Sequence, residues 1–313
     1  MAKETLLSRY RALLKPLAIE GLPDLLLFRP IAFGLVQILK KFPVTPNQVS
    51  VSSISMGLLG GLFFALGTRL SFALGGICYG LAAVLDCADG MLARLKRSGS
   101  PLGRIIDGSI DYTNGVFVMV GLAAGLDRAG IVVPLGPWPL TALAGVSLAL
   151  HCVVMDHFRC RYADQALGIK TSVVDDIRTH EEALGDLRAK GGHRLLRFVL
   201  GASLRYHRLQ ARIAPAERRI DPRVYARLNA PMLRAWQAIE LSLHILILMI
   251  AALLFRPGIF FFYAIVFANA WLLLLAPIQY LVDRRVVALS RPASGTAGSG
   301  PRAGGHAPAD GIS

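Results

Sequence analysis

Six apolar stretches, each reaching or approaching the length of a bilayer crossing, restrict what this 313-residue chain can fold into. A hydrocarbon core of ~30 Å takes roughly 20 apolar helical residues. Gln48 to Thr68, Leu70 to Leu85, Tyr112 to Leu126, Pro134 to Met155, Trp236 to Phe255 and Pro257 to Val282 carry little or no charge. They predict spanning helices over roughly 48–68, 71–96, 101–126, 136–158, 235–255 and 258–282. Short connections around Thr68, Ser98 and Pro257 make successive helices antiparallel. Residues 30–41 are apolar but too short to span, and fit a helix lying on the membrane surface. The expected fold class is therefore all-α integral membrane: a six-transmembrane-helix bundle with an N-terminal amphipathic surface helix. Met1 to Pro16 is basic but lacks the apolar core and small-residue cleavage site of a signal peptide.

A net charge of +14 could suggest a nucleic-acid partner, so its distribution decides. If the first spanning helix runs outward, the cytosolic segments hold 7 Lys/Arg in residues 1–47, 4 around 94–104, 16 in 159–234 and 4 after 283. The external loops hold only Arg69, Arg128 and Arg256. Long loops count for little in the positive-inside rule, yet the asymmetry survives without residues 159–234. Both termini are expected in the cytosol, and the basic surplus reads as topology plus attraction to anionic lipid headgroups, with no nucleic acid.

The chain divides into a cytosolic lead-in with an amphipathic helix (1–47), membrane helices 1–4 (48–158), a basic cytosolic insert (159–234), membrane helices 5–6 (235–282) and a cytosolic tail (283–313). Thr45-Pro46-Asn47 ends the lead-in, with Asn47 as the expected N-cap of the first span. The insert carries 16 Lys/Arg against 8 Asp/Glu. Its stretch 193–213 has helical apolar spacing with an arginine-rich opposite face, which suits either a helix on lipid or a solvated helix packed on the bundle. From Arg291 the tail is rich in Gly, Ala, Pro and Ser, a disordered composition. Gly57, Gly60 and Gly61 in helix 1 and Gly75, Gly76 and Gly80 in helix 2 let helices approach closely. Cys78, Cys87, Cys152 and Cys160 lack metal-ligand spacing and read as small buried residues.

The chemistry is concentrated in residues 86–112, DCADGMLARLKRSGSPLGRIIDGSIDY. An aspartate at the centre of a membrane helix costs roughly 3 kcal/mol on insertion scales and is functional by default. Asp86 and Asp89 are three apart, and Asp107 and Asp111 four apart, so each pair shares a helix face. At 1.5 Å rise per residue, Asp86 lies about 12 Å and Asp89 about 7 Å from the helix end near Arg94. On the same rise Asp107 lies about 9 Å and Asp111 about 15 Å from Pro101. The pairs overlap in depth on adjacent antiparallel helices, packed directly against each other. Four carboxylates in one pocket form an oxygen site for Mg²⁺ or Mn²⁺, with charge enough for two ions. Gly90 and Ala93 leave room against the backbone, Gly103 opens the facing helix, and Arg94 can hold a phosphate oxygen in a bidentate way. Divalent metal, arginine and diphosphate together point to phosphoryl-type transfer.

The spacing D-x2-D-G-x2-A-R-x8-G-x3-D-x3-D resembles the signature of the CDP-alcohol phosphotransferase family at all eight fixed positions, over about residues 30–160. The resemblance implies a six-helix bundle with an amphipathic lead-in, and family members are often homodimers. It also implies that Asp86, Asp89 and Asp107 bind metal, and that Asp111 completes the metal site and acts as general base on the acceptor hydroxyl. Gly90, Ala93, Arg94 and Gly103 would form the CDP pocket. The implied reaction moves a substituted phosphate from a CDP-alcohol, such as CDP-diacylglycerol, to an acceptor hydroxyl and releases CMP, in phospholipid biosynthesis. The alternative donor is a soluble CDP-alcohol of the choline, ethanolamine or inositol type. Branches using glycerol phosphate or inositol phosphate often carry Lys or Arg after the last aspartate, where this chain has Tyr112. The amino-alcohol branch has His where this chain has Gly108.

Asp156, His157, Arg159 and Arg161, at the exit of helix 4, are candidate acceptor-binding residues or simply interfacial charges. Glu240 and His244 share a face of helix 5 and would either line the polar pocket or pair with each other. Asn269 is expected to make an interhelical hydrogen bond. A cation transporter using the same aspartates is the rival reading, but an ion path needs polar groups on the outer half too. Leu70 to Leu85 and the helix beyond Asn114 are apolar there.

Overall fold

The computed structural model describes residues 6–96, 101–169 and 220–290, and a few isolated positions between them; the side chains of residues 6 and 101–112 fall outside the description. The expected helix at 193–213 and the tail from Arg291 therefore lie outside the described residues. All regular structure among the described residues is helical. Along the chain come α1 (Leu6–Ala12), α2 (Arg29–Leu39), α3 (Pro46–Ala65), α4 (Arg69–Lys96), α5 (Pro101–Arg128), α6 (Pro137–Leu167), α7 (Pro222–Trp236), α8 (Leu241–Leu253) and α9 (Gly258–Leu289). Among the described residues, five helices are long and apolar enough to cross a membrane: α3, α4, α6, α7 continued by α8, and α9. The chain is accordingly an integral membrane protein.

α3 organises the bundle. It starts at a capping box: the Gln48 N–H donates to Thr45 Oγ1 (3.3 Å) and the Thr45 N–H to Gln48 Oε1 (2.9 Å). Thr45, and not Asn47, is thus the N-cap, because Pro46 occupies the first helical position, where its missing N–H costs nothing. The glycines of α3 then admit a neighbour on each side. Gly60 meets the backbone of Gly75 on α4, where an added Cβ would fall 3.1 Å from the Gly75 carbonyl. Gly61 meets α5, where an added Cβ would fall 2.5 Å from the Phe117 carbonyl. α4 and α5 follow each other in sequence, but among the described residues they touch little; α3 is wedged between them. This differs from the sequence expectation of two directly apposed helices. The physical reason is that the small-residue stripe that permits close approach lies on α3.

The lead-in is built into the bundle. α2 buries Ala32, Phe33 and Val36 in the same core as Met91 and Leu92 of α4, and exposes Ile31 and Ile38. A second core joins Ile19 to Met155, Tyr162, Tyr225, Trp236 and Val286. α6 continues past residue 158 to a left-handed Gly168 (φ +64), where the Ile169 N–H caps the Ala163 carbonyl. The expected continuous helix over 235–255 is interrupted: a 3₁₀ turn at Gln237–Ile239 leads to an extended Glu240 before α8 begins. α9 contains a π-helical turn, Phe262–Phe267, and the side-chain amide of Asn269 donates to the Ile265 carbonyl at 2.8 Å.

Candidate active site

α3 sets the register of the aspartate helices. Against α4 it runs antiparallel: Gly60 lies on Gly75, Ser53 Oγ donates to the Ala82 carbonyl (2.9 Å), and Ser50 Oγ donates to Asp89 Oδ2 (2.6 Å). Against α5 it runs parallel: Phe64 meets Gly125, Gly61 meets Phe117 and Gly121, and Gly57 meets Asn114. A Cβ on Gly57 would overlap the Asn114 side chain, whose Nδ2 donates to the Ser53 carbonyl at 3.4 Å. Extending that register one turn toward the start of α5 brings residue 111 level with Ser53. A further turn brings residue 107 level with Ser50, and hence with Asp89.

Asp89 is almost wholly buried, at 3% exposed, and Asp86 is half-buried one turn away. Such a carboxylate needs compensating partners. Ser50 is one, and the sequence reading did not single it out. Asn114 is 3% exposed with Oδ1 unbonded among the described residues, so the α3–α5 face also presents a buried acceptor at the level of Gly57, about two turns from Ser50. The donor set, the carboxylates of Asp86 and Asp89 one turn apart with the Ser50 hydroxyl level with Asp89, has the hard-oxygen chemistry of a Mg²⁺ or Mn²⁺ site. Gly103 and the side chains of Asp107 and Asp111 belong to the stretch whose side-chain surroundings are outside the description; the helix that carries them is described.

Gly90, half-exposed, follows Asp89 directly. The Arg94 guanidinium folds back over it, its Nη atoms 3.7 and 3.8 Å from where a Cβ would sit. Arg94 Nε donates to the Leu13 carbonyl at 2.8 Å, so the lead-in anchors the arginine. Ala93 is half-buried on the same stretch.

The lead-in contributes further charges that sequence reasoning missed. Glu20 and Arg29 are buried, 2% and 6% exposed, and joined by Arg29 Nε donating to Glu20 Oε2 at 2.7 Å. The other Glu20 oxygen accepts from the Lys15 N–H at 3.1 Å. The Glu20 carbonyl accepts from Gln237 Nε2 at 2.8 Å, and Arg234 Nη2 donates to the Leu17 carbonyl at 2.9 Å. Asp24 opens a π-helical turn, Asp24–Phe28, within electrostatic reach of Arg29, Glu20, Arg159 and Lys15. Burial raises its carboxyl above the ordinary carboxylate value, with Arg29 opposing. No local periodicity signals these residues.

The four residues grouped at the end of α6 take different direct partners, while His157 stays within electrostatic reach of Asp156 and Arg161. Arg159 forms an ion pair with Glu240, whose backbone break turns the carboxylate toward it, and Glu240 also packs against the bare Cα of Gly21. Arg161 points to α9, where Nη1 donates to Asp283 Oδ2 at 2.5 Å, and it stacks over Tyr225. Asp156 accepts a weak bond from Cys160, and His157 packs edge-on to Phe158. Glu240 and His244 do not pair through their side chains. His244 Nδ1 instead lies 2.9 Å from the Glu240 carbonyl, and Nε2 lies 3.2 Å from His151 Nδ1. His151 in turn meets Asn269, whose Nδ2 donates to Ser147 Oγ at 3.0 Å, the expected interhelical bond.

Residues 43–179 match the sequence model of a family described as CDP-alcohol phosphatidyltransferase. A bifunctional IPC transferase and DIPP synthase of Rubrobacter xylanophilus is 32% identical over 160 residues, 49% of this chain and 34% of that protein. A protein of the same name from Thermococcus kodakarensis is 41% identical over 76 residues, 24% of this chain and 17% of its own. An archaetidylinositol phosphate synthase of Pyrococcus horikoshii is 30% identical over 118 residues, 38% of this chain and 55% of that protein. The chain thus spans about a third of the Rubrobacter protein and about half of the Pyrococcus one.

Proposed function

We propose that this chain, whose residues 43–179 match the CDP-alcohol phosphatidyltransferase model, is a member of that family and transfers a substituted phosphate from a CDP-alcohol to the hydroxyl of an acceptor alcohol, releasing CMP, in phospholipid biosynthesis. The observation that carries the proposal is the register of α3, which levels Asp89, through its bond to Ser50, with residue 107 of α5. Counting α5, the protein has six spans, with both termini and the active site on the cytosolic face.

Asp86, Asp89, Asp107 and Asp111 would hold Mg²⁺ or Mn²⁺, two ions by the charge available. A metal held there would supply charge neutralisation for the diphosphate and for the departing CMP. The chain's own groups do the rest. Gly90 and Ala93 give the diphosphate close access to the backbone, with Gly103 opposite, and Arg94 holds a phosphate oxygen. Asp111 takes the proton from the acceptor hydroxyl. The freed oxygen bonds to the phosphorus carrying the donor alcohol, and the bond from that phosphorus to CMP breaks with its electrons going to CMP. Arg159, close to the lead-in, suits the acceptor side, with Asp156 and His157 on the same helix end. Arg161, tied to Asp283, suits a structural role. The names of the relatives suggest inositol-phosphate chemistry for the acceptor, with CDP-diacylglycerol or a soluble CDP-alcohol as donor. The test is CMP release by the purified protein with Mn²⁺ across a panel of CDP-alcohols. Asp111→Asn should abolish release while leaving CDP binding largely intact; full activity in that variant, or metal-independent activity, would refute the mechanism.

A further inference from the structure

Two arginines are held in the same way by the lead-in. Arg94 Nε donates to the Leu13 carbonyl at 2.8 Å, and Arg29 Nε donates to Glu20 Oε2 at 2.7 Å. Each anchor uses only Nε. Among the described residues, neither guanidinium has a hydrogen bond from its Nη atoms, although Arg29 is only 6% exposed. The two cations lie within electrostatic reach of each other, and Arg29 also within reach of Cys87, the neighbour of Asp86. Fixing two like charges close together is unfavourable unless anions lie near them; Glu20, Asp24 and Asp89 supply part of that compensation, and a bound phosphate between the forks would add to it. A planar fork with both Nη groups free is the geometry that takes two oxygens of one phosphate.

Deepening the reading above and resting on it, we propose that Arg29 is a phosphate-binding residue of this active site, forming with Arg94 a two-arginine clamp positioned by the lead-in. The ligand is a phosphate group, from either the donor's diphosphate or a phosphorylated acceptor. Glu20 orients the guanidinium by occupying Nε, as the Leu13 carbonyl does for Arg94. Lys15 and Arg159 add positive charge on the lead-in side, and Asp24 is the carboxylate positioned to compete. Burial raises the Asp24 carboxyl above its ordinary value, which weakens that competition.

Arg29→Gln alone would leave Glu20 buried without its partner and confound folding with binding. The test therefore uses the double variant Glu20→Gln/Arg29→Gln, which keeps a neutral hydrogen-bonding pair, in the full chain in detergent. Thermal melting is followed with CDP plus Mn²⁺ and, separately, with inorganic phosphate. The double variant should melt as the wild type does without ligand, and bind one of the two ligands about 10- to 100-fold more weakly. Weakening confined to CDP assigns the clamp to the donor diphosphate; weakening confined to inorganic phosphate assigns it to the acceptor. Wild-type affinity for both ligands overturns the clamp and leaves Arg29 a structural partner of Glu20. If the double variant does not fold, Arg29→Lys serves with the same readouts. It keeps the charge but cannot hold Glu20 and still present a free fork, so wild-type affinities in it likewise overturn the proposal. A wild type indifferent to CDP with Mn²⁺ would instead count against the family reading, while an Arg29-dependent response to inorganic phosphate would still stand.

Discussion

Gly61→Ala tests whether α3 sets the spacing of the two aspartate helices. An added Cβ would fall 2.5 Å from the Phe117 carbonyl oxygen and 2.9 Å from its carbon, about 1 Å short of ordinary contact. Both atoms are backbone, so no side-chain rotation relieves the overlap and α5 itself has to move. The opposing position is equally closed, since Gly121 packs against the carbonyl of Gly61. Overpacking of this kind costs about 1–3 kcal/mol. Its functional effect is larger, because α5 carries residue 111 six positions from Phe117, roughly 9 Å along the axis. Displacing a reacting group by about 1 Å can reduce turnover roughly 10²-fold. Gly61→Ala should therefore lower the rate of CMP release by that order while lowering Tm only modestly. Gly115→Ala is the control: it lies on α5, has no atom within 4 Å of an added Cβ, and should be neutral or stabilise by about 0.5–1 kcal/mol. Wild-type turnover and Tm in Gly61→Ala would refute α3 as a rigid spacer. Equal losses in both variants would show that glycine flexibility, not the contact, is what matters.

Ser50→Ala removes the hydroxyl that donates to buried Asp89 at 2.6 Å. A hydrogen bond to a charged group contributes about 1.5–3 kcal/mol, so the Mn²⁺ concentration for half-maximal CMP release should rise roughly 10- to 100-fold with the fold intact by circular dichroism. Asp24→Asn should change the pH dependence of stability. Burial raises the Asp24 carboxyl above its ordinary 3.8, so in the window above 3.8 the folded chain binds this proton more tightly than the unfolded chain. Stability is then lost as pH rises through that window, and the deficit is complete above the folded value. The variant should melt higher than wild type near neutral pH, with the gap closing at about pH 4; a gap that widens on acidification would reverse the assignment.

The candidate reacting carboxylates stand out in the sequence because they violate a local expectation: aspartates at three- and four-residue spacing interrupt two apolar helices joined by a short connection. The partner of Asp89 was legible in principle. Ser50, Ser53, Gly57, Gly60 and Gly61 fall at intervals that keep them on one stripe of α3. Ser52 and Ser55 fall off that stripe, and their hydroxyls bond back to the carbonyls of Gln48 and Val51. Anchoring the helical period on the glycines would have separated the two pairs of serines. The break at Glu240 had no such signal, since residues 237–241 contain neither glycine nor proline. Its causes are tertiary: the Arg159 ion pair and the bond from Gln237 to the Glu20 carbonyl. The same holds for Glu20 and Arg29, nine residues apart in a stretch without a period. The candidate reacting groups come from one segment, residues 86–111, where spacing reports geometry directly. The charges around the proposed phosphate clamp come from residues 15–29, 94, 159 and 234–240, which only the folded bundle brings together. A local motif can therefore point to a reaction class, whereas the choice of alcohol and acceptor depends on contacts that no single segment encodes.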